Sequence, residues 1–227
     1  MQDEFRTYEV VRAPAEHPLT ESWNAPLWNR VPSLAVDRFR PESSDHRPRV
    51  EARVAHTADR FIGIFRVEDR YVRCVQTAPQ ARVCTDSCVE CFLKPKPESG
   101  HLNFEFNCGG AIRTSYITKP VRTPDGFEEY EDLSLDEIGT IEVRTSMPQA
   151  VEPEIETPVT WTLAFAIPIA LLEAYVGPIG DPAGQDWRAN FYKCGDETSH
   201  PHWAAWSPVR EFDFHRPQDF GVLRFAK

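Results

Sequence analysis

The sequence predicts an all-β chain folded as a two-sheet antiparallel β-sandwich with one or two short helices and a long acidic loop. Three observations predict it. Apolar residues alternate with polar ones more often than they recur at helical spacing. The 20 prolines and 11 glycines are scattered as punctuation between the alternating runs. About nine or ten such runs follow one another with turn signals between them, the pattern of a sandwich built from short strands.

The first firm element is a hairpin. Val50 to His56 and Phe61 to Val67 alternate on either side of Thr57-Ala58-Asp59-Arg60, a short turn. Cys88 to Leu93 is an apolar strand closed by Lys94-Pro95-Lys96-Pro97-Glu98-Ser99-Gly100; the chain returns through His101 to Cys108, turns at Gly109-Gly110 and leaves through Ala111 to Thr118. Lys119 to Asp136 is polar and acidic with few apolar residues, so it reads as a surface loop with a little helix. Ile141 to Thr145 and Val159 to Ile167 resume the alternation, which puts Trp161, Leu163, Phe165 and Ile167 on one core face. Pro168 opens a short helix that Gly177-Pro178 closes. Trp187 to Cys194 and Phe220 to Ala226 complete the strands. At 227 residues this is read as one domain over 1–227, with 1–27 as an N-terminal extension.

Composition narrows the function. With 35 acidic against 25 basic residues, the net charge of -10 repels a phosphate backbone, and no basic run makes a local exception. The longest apolar stretch, Leu163 to Leu172, contains Pro168 and falls short of the roughly 20 residues that span a bilayer. Met1-Gln2-Asp3-Glu4-Phe5-Arg6 lacks the basic start and apolar run of an export signal, so the expectation is a cytoplasmic protein. Its six cysteines then read as reduced thiols.

Several short segments are similar to a known family. These are Asp86-Ser87-Cys88-Val89-Glu90-Cys91-Phe92-Leu93, Asn103-Phe104-Glu105-Phe106-Asn107 before Gly109-Gly110, Trp187 to Tyr192, Trp206-Ser207-Pro208 and Phe214 to Gly221, with Val67-Glu68-Asp69 in the same pattern. Together they resemble the family-9 carbohydrate-binding modules and their free-standing relatives. The resemblance implies a β-sandwich that holds the end of a saccharide between aromatic rings, with carboxylate and amide side chains fixing hydroxyls and, in some members, bound calcium. Carried over by position, the family's acidic residue falls on Glu90, its Asn on Asn107 and its late tryptophan on Trp206. A second stacking tryptophan would fall at Cys84, an arginine at Glu105 and an Asn at Trp203, where this sequence departs.

The expected site is therefore Trp206 as stacking platform and Glu90 and Asn107 as hydrogen-bonding groups, helped by Trp203 and Arg188. The chemistry is sound on its own terms, because the C–H faces of a pyranose stack on aromatic rings while its hydroxyls need fixed polar partners. Asn103, Glu105 and Asn107 share one strand face by their two-residue spacing and form either a solvated surface or the floor of a groove. Calcium is open to oxygens from Asp69, Asp86 and Glu128-Glu129-Tyr130-Glu131-Asp132, although no EF-hand loop is present. His200, His202 and His215 could bind metal, but His215, followed by Arg216-Pro217, reads as a structural corner of the family-like closing segment.

Two contrasting classes remain. One is an interaction domain with a degenerate sugar site, favoured by Cys84 and Glu105. The other is a cysteine-centred metal or iron–sulfur protein, because Cys84-x-x-x-Cys88-x-x-Cys91 has the spacing that radical S-adenosylmethionine enzymes use. That motif belongs in a loop opening an α/β barrel, whereas here Cys88 and Cys91 point to opposite faces of a strand. Asp86, Glu90 and Glu105 could in principle supply a glycosidase pair, but nothing marks two of them as such.

Overall fold

A computed structural model describes residues 5–15 and 17–227. Met1 to Glu4, part of the stretch read above for an export signal, lie outside the described residues. The chain opens with β1 (Thr7–Arg12), passes a 3-10 turn at Trp28–Arg30 and forms the two-residue strands β2 (Leu34–Ala35) and β3 (Arg38–Phe39). The expected hairpin is β4 (Arg49–His56) and β5 (Arg60–Asp69), paired from Arg49 opposite Glu68 to His56 opposite Phe61. After β6 (Val72–Cys74) come β7 (Cys88–Lys94), β8 (His101–Asn107), β9 (Ile112–Thr123) and β10 (Gly126–Asp132). Then follow α1 (Leu135–Ile138), β11 (Glu142–Thr145), β12 (Val151–Ile155), β13 (Val159–Pro168), α2 (Ile169–Val176), β14 (Asp186–Cys194), β15 (Trp203–Ala205) and β16 (Gly221–Phe225).

Two sheets face each other. One runs β10-β9-β8-β7-β14-β16-β1 and the other β1-β4-β5-β13-β11. β1 belongs to both: Thr7 to Val10 pair with Val222 to Phe225, and Val11 and Arg12 pair with Ala55 and His56, in each case parallel. The sandwich is thus antiparallel except at this strand. No hairpin delivers β1 to its neighbours, so no tight turn imposes the antiparallel direction on it. The stretch read as an N-terminal extension supplies the strand that stitches the two sheets together.

The core lies between the sheets. Trp161, Leu163, Phe165 and Ile167 of β13 are all fully buried, as their alternation predicts. From the other sheet, Phe106 stacks on Phe165 with ring centroids 5.2 Å apart, and Phe191 meets Phe65 edge-on at 6.2 Å. Such pairs add to the burial of the rings themselves.

Lys119 to Asp136 departs from the expected loop. β9 runs on to Thr123 and returns as β10, with Tyr130 opposite Ile117 and Asp132 opposite Ser115. The turn holds Gly126 at φ +132, a backbone conformation that side chains rarely adopt. This ribbon is solvent-exposed over much of its length, so no buried face imposes an apolar alternation; cross-strand charge pairs such as Lys119 with Glu128, 2.6 Å, support it instead. The little helix expected there is α1, whose N-terminus carries a reciprocal Ser134–Glu137 capping box.

β7 and β8 are buried along nearly their whole length. Strands of a simple sandwich are buried on one face and wet on the other. Here Val89, Cys91 and Leu93, with Leu102, Phe104 and Phe106, point into the core. The alternate residues, including Glu90, Asn103 and Glu105, point away from it, and a second layer covers that outer face.

Candidate functional site

The covering layer does not close completely. Between the β9–β10 ribbon and the segment from Trp203 to His215 lies an open cavity of about 460 Å3, floored by the outer face of the β7–β8–β9 meander. Hollows of comparable volume near Thr57 and near Asp69 are lined by no Phe, Tyr or Trp. The chemistry of the lining, and not its size, singles out the first.

The floor follows from strand register. Glu90 of β7 stands directly opposite Glu105 of β8, and Phe92 opposite Asn103. In an antiparallel pair such partners lie about 5 Å apart at Cβ, so the two carboxyls are side by side. Each is almost completely enclosed, Glu90 at 3% exposure and Glu105 at 6%. The Cys194 thiol donates to Glu90 Oε1 at 3.0 Å, and Asn103 Nδ2 donates to Glu105 Oε1 at 2.7 Å. The Ser115 amide donates in turn to Asn103 Oδ1 at 2.6 Å, which fixes the orientation of that side chain. The second oxygen of each glutamate has no hydrogen-bond donor from the protein among the described residues.

Burial and the neighbouring Glu105 charge push the Glu90 carboxyl well above the ordinary range. Burial raises Glu105 to about 6 against the hydrogen bond from Asn103. Asp196 stands in the wall, raised by burial although the Trp203 indole N–H donates to it at 2.7 Å. His215, in the roof, is held well below the normal histidine range by burial and by His101 beside it, so it is neutral.

The walls are aromatic. Trp203 meets Phe212 edge-on at 4.9 Å on one side, and Phe212 is 50% exposed. On the other, Phe127 meets Tyr130 edge-on at 5.9 Å, and Tyr130 is 40% exposed. The guanidinium of Arg122 lies 4.3 Å from the Phe127 ring centre and pairs with Asp213 at 2.6 Å, tying the ribbon to the opposite wall. Apolar faces stand at the sides and hydrogen-bonding groups below.

Of the residues proposed from sequence, Glu90 and Trp203 line this cavity and three others do not. Trp206 is 3% exposed, edge-on to Phe191 at 5.7 Å, and its indole packs so closely on Gly221 that a Cβ there would lie 2.6 Å from the ring. It is a core residue with no ring face to offer. Asn107 is turned inward on the chain: Nδ2 donates to Gln76 O at 2.6 Å and Asp86 Oδ2 at 3.0 Å, and Oδ1 accepts from the Ala111 amide at 3.0 Å. Arg188 lies six residues before Cys194 on β14, about 20 Å along the strand, where it donates to Phe220 O and covers Phe5. Sequence reasoning assigned no sugar-binding role to Phe127, Tyr130, Phe212 or Asp196. Asp125-Gly126, a strong hairpin signal, could have revealed the ribbon that carries the first two.

The metal candidates fare as follows. Among the described residues, the donors close enough to share an ion are His46, Asp69 and His202. A cation already stands there. The buried Lys193 ammonium donates to His202 Nε2 at 2.8 Å and lies 3.6 Å from Asp69 Oδ2, while His46 Nε2 donates to Asp69 Oδ1 at 2.7 Å. Burial and Lys193 hold His202 down to about 3, so it accepts through Nε2 and donates through Nδ1 to His200 O at 2.8 Å. Two imidazoles and an ammonium do not suit calcium, which takes oxygen ligands. Asp86 Oδ2 accepts from the Val75, Gln76 and Asn107 N–H groups, and its Oδ1 is buried without a partner. Glu128 and Asp132 pair with Lys119 and Ser115. The oxygens considered for calcium therefore form no common cage. The cysteines of the Cys84-x-x-x-Cys88-x-x-Cys91 spacing also diverge, with Cys91 in the inter-sheet core and Cys88 on the outer side with Cys194.

The β-sandwich is the fold of the family 9 carbohydrate-binding modules. This chain belongs to carbohydrate-binding family 9, whose family profile matches residues 25–225. It is similar over 98% of its length, at 26% identity and a TM-score of 0.84, to the whole of a protein from Bacteroides uniformis described as a candidate carbohydrate-binding protein. It also shares its fold with a family 9 carbohydrate-binding module from Caldicellulosiruptor kristjanssonii, at 10% identity and a TM-score of 0.67. The complex of that module with glucose matches over 98% of this chain and 97% of the module, and the complex with cellotriose over 97% and 94%. No curated protein sequence matches the chain. No helix among the described residues is long and apolar enough to cross a membrane.

Proposed function

We propose that the chain is a non-catalytic carbohydrate-binding domain whose saccharide enters the cavity between the β9–β10 ribbon and the Trp203–His215 segment. One observation carries this reading: the outer face of a buried strand pair presents Glu90, Glu105 and Asn103 beneath exposed rings, with carboxylate oxygens still available for hydroxyl donors. The sugar ring stacks on Trp203 and Phe212 or on Tyr130, and the floor hydrogen-bonds its hydroxyls.

Hydrolysis is disfavoured by the same geometry. A glycosidase sets its two carboxyls on either side of the scissile bond, whereas Glu90 and Glu105 are neighbours on one sheet face, below any ligand. The test is calorimetric titration with glucose and cellotriose, the ligands of the Caldicellulosiruptor module, with and without calcium. Saturable heat that is lost in Trp203→Ala and kept in Trp206→Ala supports the reading. Absence of binding to a panel of mono- and oligosaccharides at millimolar concentration refutes it.

A further inference from the structure

The lining of the cavity carries more carboxyl groups than a neutral sugar needs. Its lining carries five carboxyl groups, Glu90, Glu105, Asp125, Asp196 and Asp213, against the three guanidiniums of Arg82, Arg113 and Arg122. Arg122 is taken up by Asp213 within the lining, and Arg113 is held outside it by Gln80 O at 3.0 Å and Asp132 at 4.0 Å. Among the described residues no ion pair joins Glu90, Glu105 or Asp196 to a lysine or arginine. Two enclosed carboxyls set side by side without a cation are a costly arrangement unless something completes it.

Among the described residues Glu90 and Glu105 do not join a third His, Cys, Asp or Glu donor in a cluster tight enough to cage a bare metal ion. A larger cation bearing several N–H donors fits them. An ammonium can donate to the free oxygens of Glu90 and Glu105 at once, and its remaining bonds to a hydroxylated ring leave that ring between Trp203 and Tyr130. We infer that the preferred ligand is an amino sugar with a free ammonium group, bound with its nitrogen on the Glu90–Glu105 pair. This rests on the sugar site proposed above.

The test compares glucosamine, glucose and N-acetylglucosamine by calorimetric titration at pH 7, where the amine of glucosamine is still largely protonated. Acetylation removes the charge while keeping the ring, so it separates the ammonium from the sugar frame. Hydrogen bonds to charged groups predict that glucosamine binds about tenfold or more tightly than either neutral sugar. The ratio of glucosamine to glucose affinity should fall towards one in Glu90→Gln and Glu105→Gln, each confirmed folded by its thermal melt. Equal affinity of glucosamine and glucose for the native protein overturns the inference and leaves the sugar site standing. Failure of every sugar to bind overturns both.

Discussion

Replacing Glu105 by Gln should stabilise the protein at neutral pH. The carboxyl is enclosed beside Glu90, and burial raises it from the usual carboxylate range to about 6. The folded state therefore binds a proton more tightly than the unfolded chain does. Between about pH 4.5 and 6 the folded protein carries the extra proton, so its stability falls as pH rises through that window. The shift is worth about 2 kcal/mol at pH 8 relative to pH 4. Gln keeps the shape, and its carbonyl can still accept from Asn103 Nδ2. Thermal melts of the native protein and Glu105→Gln should nearly coincide at pH 4 and separate at pH 8, with the variant higher by about 4–8 °C for a chain of this length. A variant less stable at pH 8, or a difference independent of pH, would refute the claim that a strained buried acid forms the floor.

The Asp69 network has the opposite sign. Despite burial, Lys193 and the hydrogen bond from His46 hold Asp69 down at about 2, so its contribution is present above about pH 4 and lost as pH falls towards 2. Asp69→Asn leaves the Lys193 ammonium buried without a counter-charge and should cost about 3–5 kcal/mol in denaturant unfolding, part of which Lys193→Met in the same chain recovers. Trp206→Ala should cost about 3–5 kcal/mol as a core cavity without abolishing sugar binding. Phe212→Ala, at an exposed ring, should change stability by no more than about 0.5 kcal/mol while weakening sugar affinity measurably by calorimetry.

The two tryptophans show where local sequence stops being informative. Trp203 and Trp206 sit three residues apart in one proline- and histidine-bearing segment, and nothing local tells them apart. β15 pairs with β14 and ends at Ala205; beyond it the Trp206 indole packs onto the Gly221 backbone, while Trp203 turns its N–H to Asp196 at the cavity. The β9–β10 ribbon was hidden for another reason: it is exposed, and its pairing is held by charges that read as a solvated loop.

By itself the sequence determined the sandwich class, the central hairpin, the β13 core face and the two-residue phase that sets Glu90, Asn103 and Glu105 apart from the apolar side of their strands. Alternation is a local property, fixed by strand geometry before any sheet forms. The tertiary structure decided which of those polar faces is roofed, which rings wall it, that Asn107 braces a loop, and that Lys193 stands in the His46–Asp69–His202 cluster. Each depends on segments distant in the chain meeting across a sheet, and register between distant strands is set by the packing of the whole fold, which no short stretch of sequence specifies.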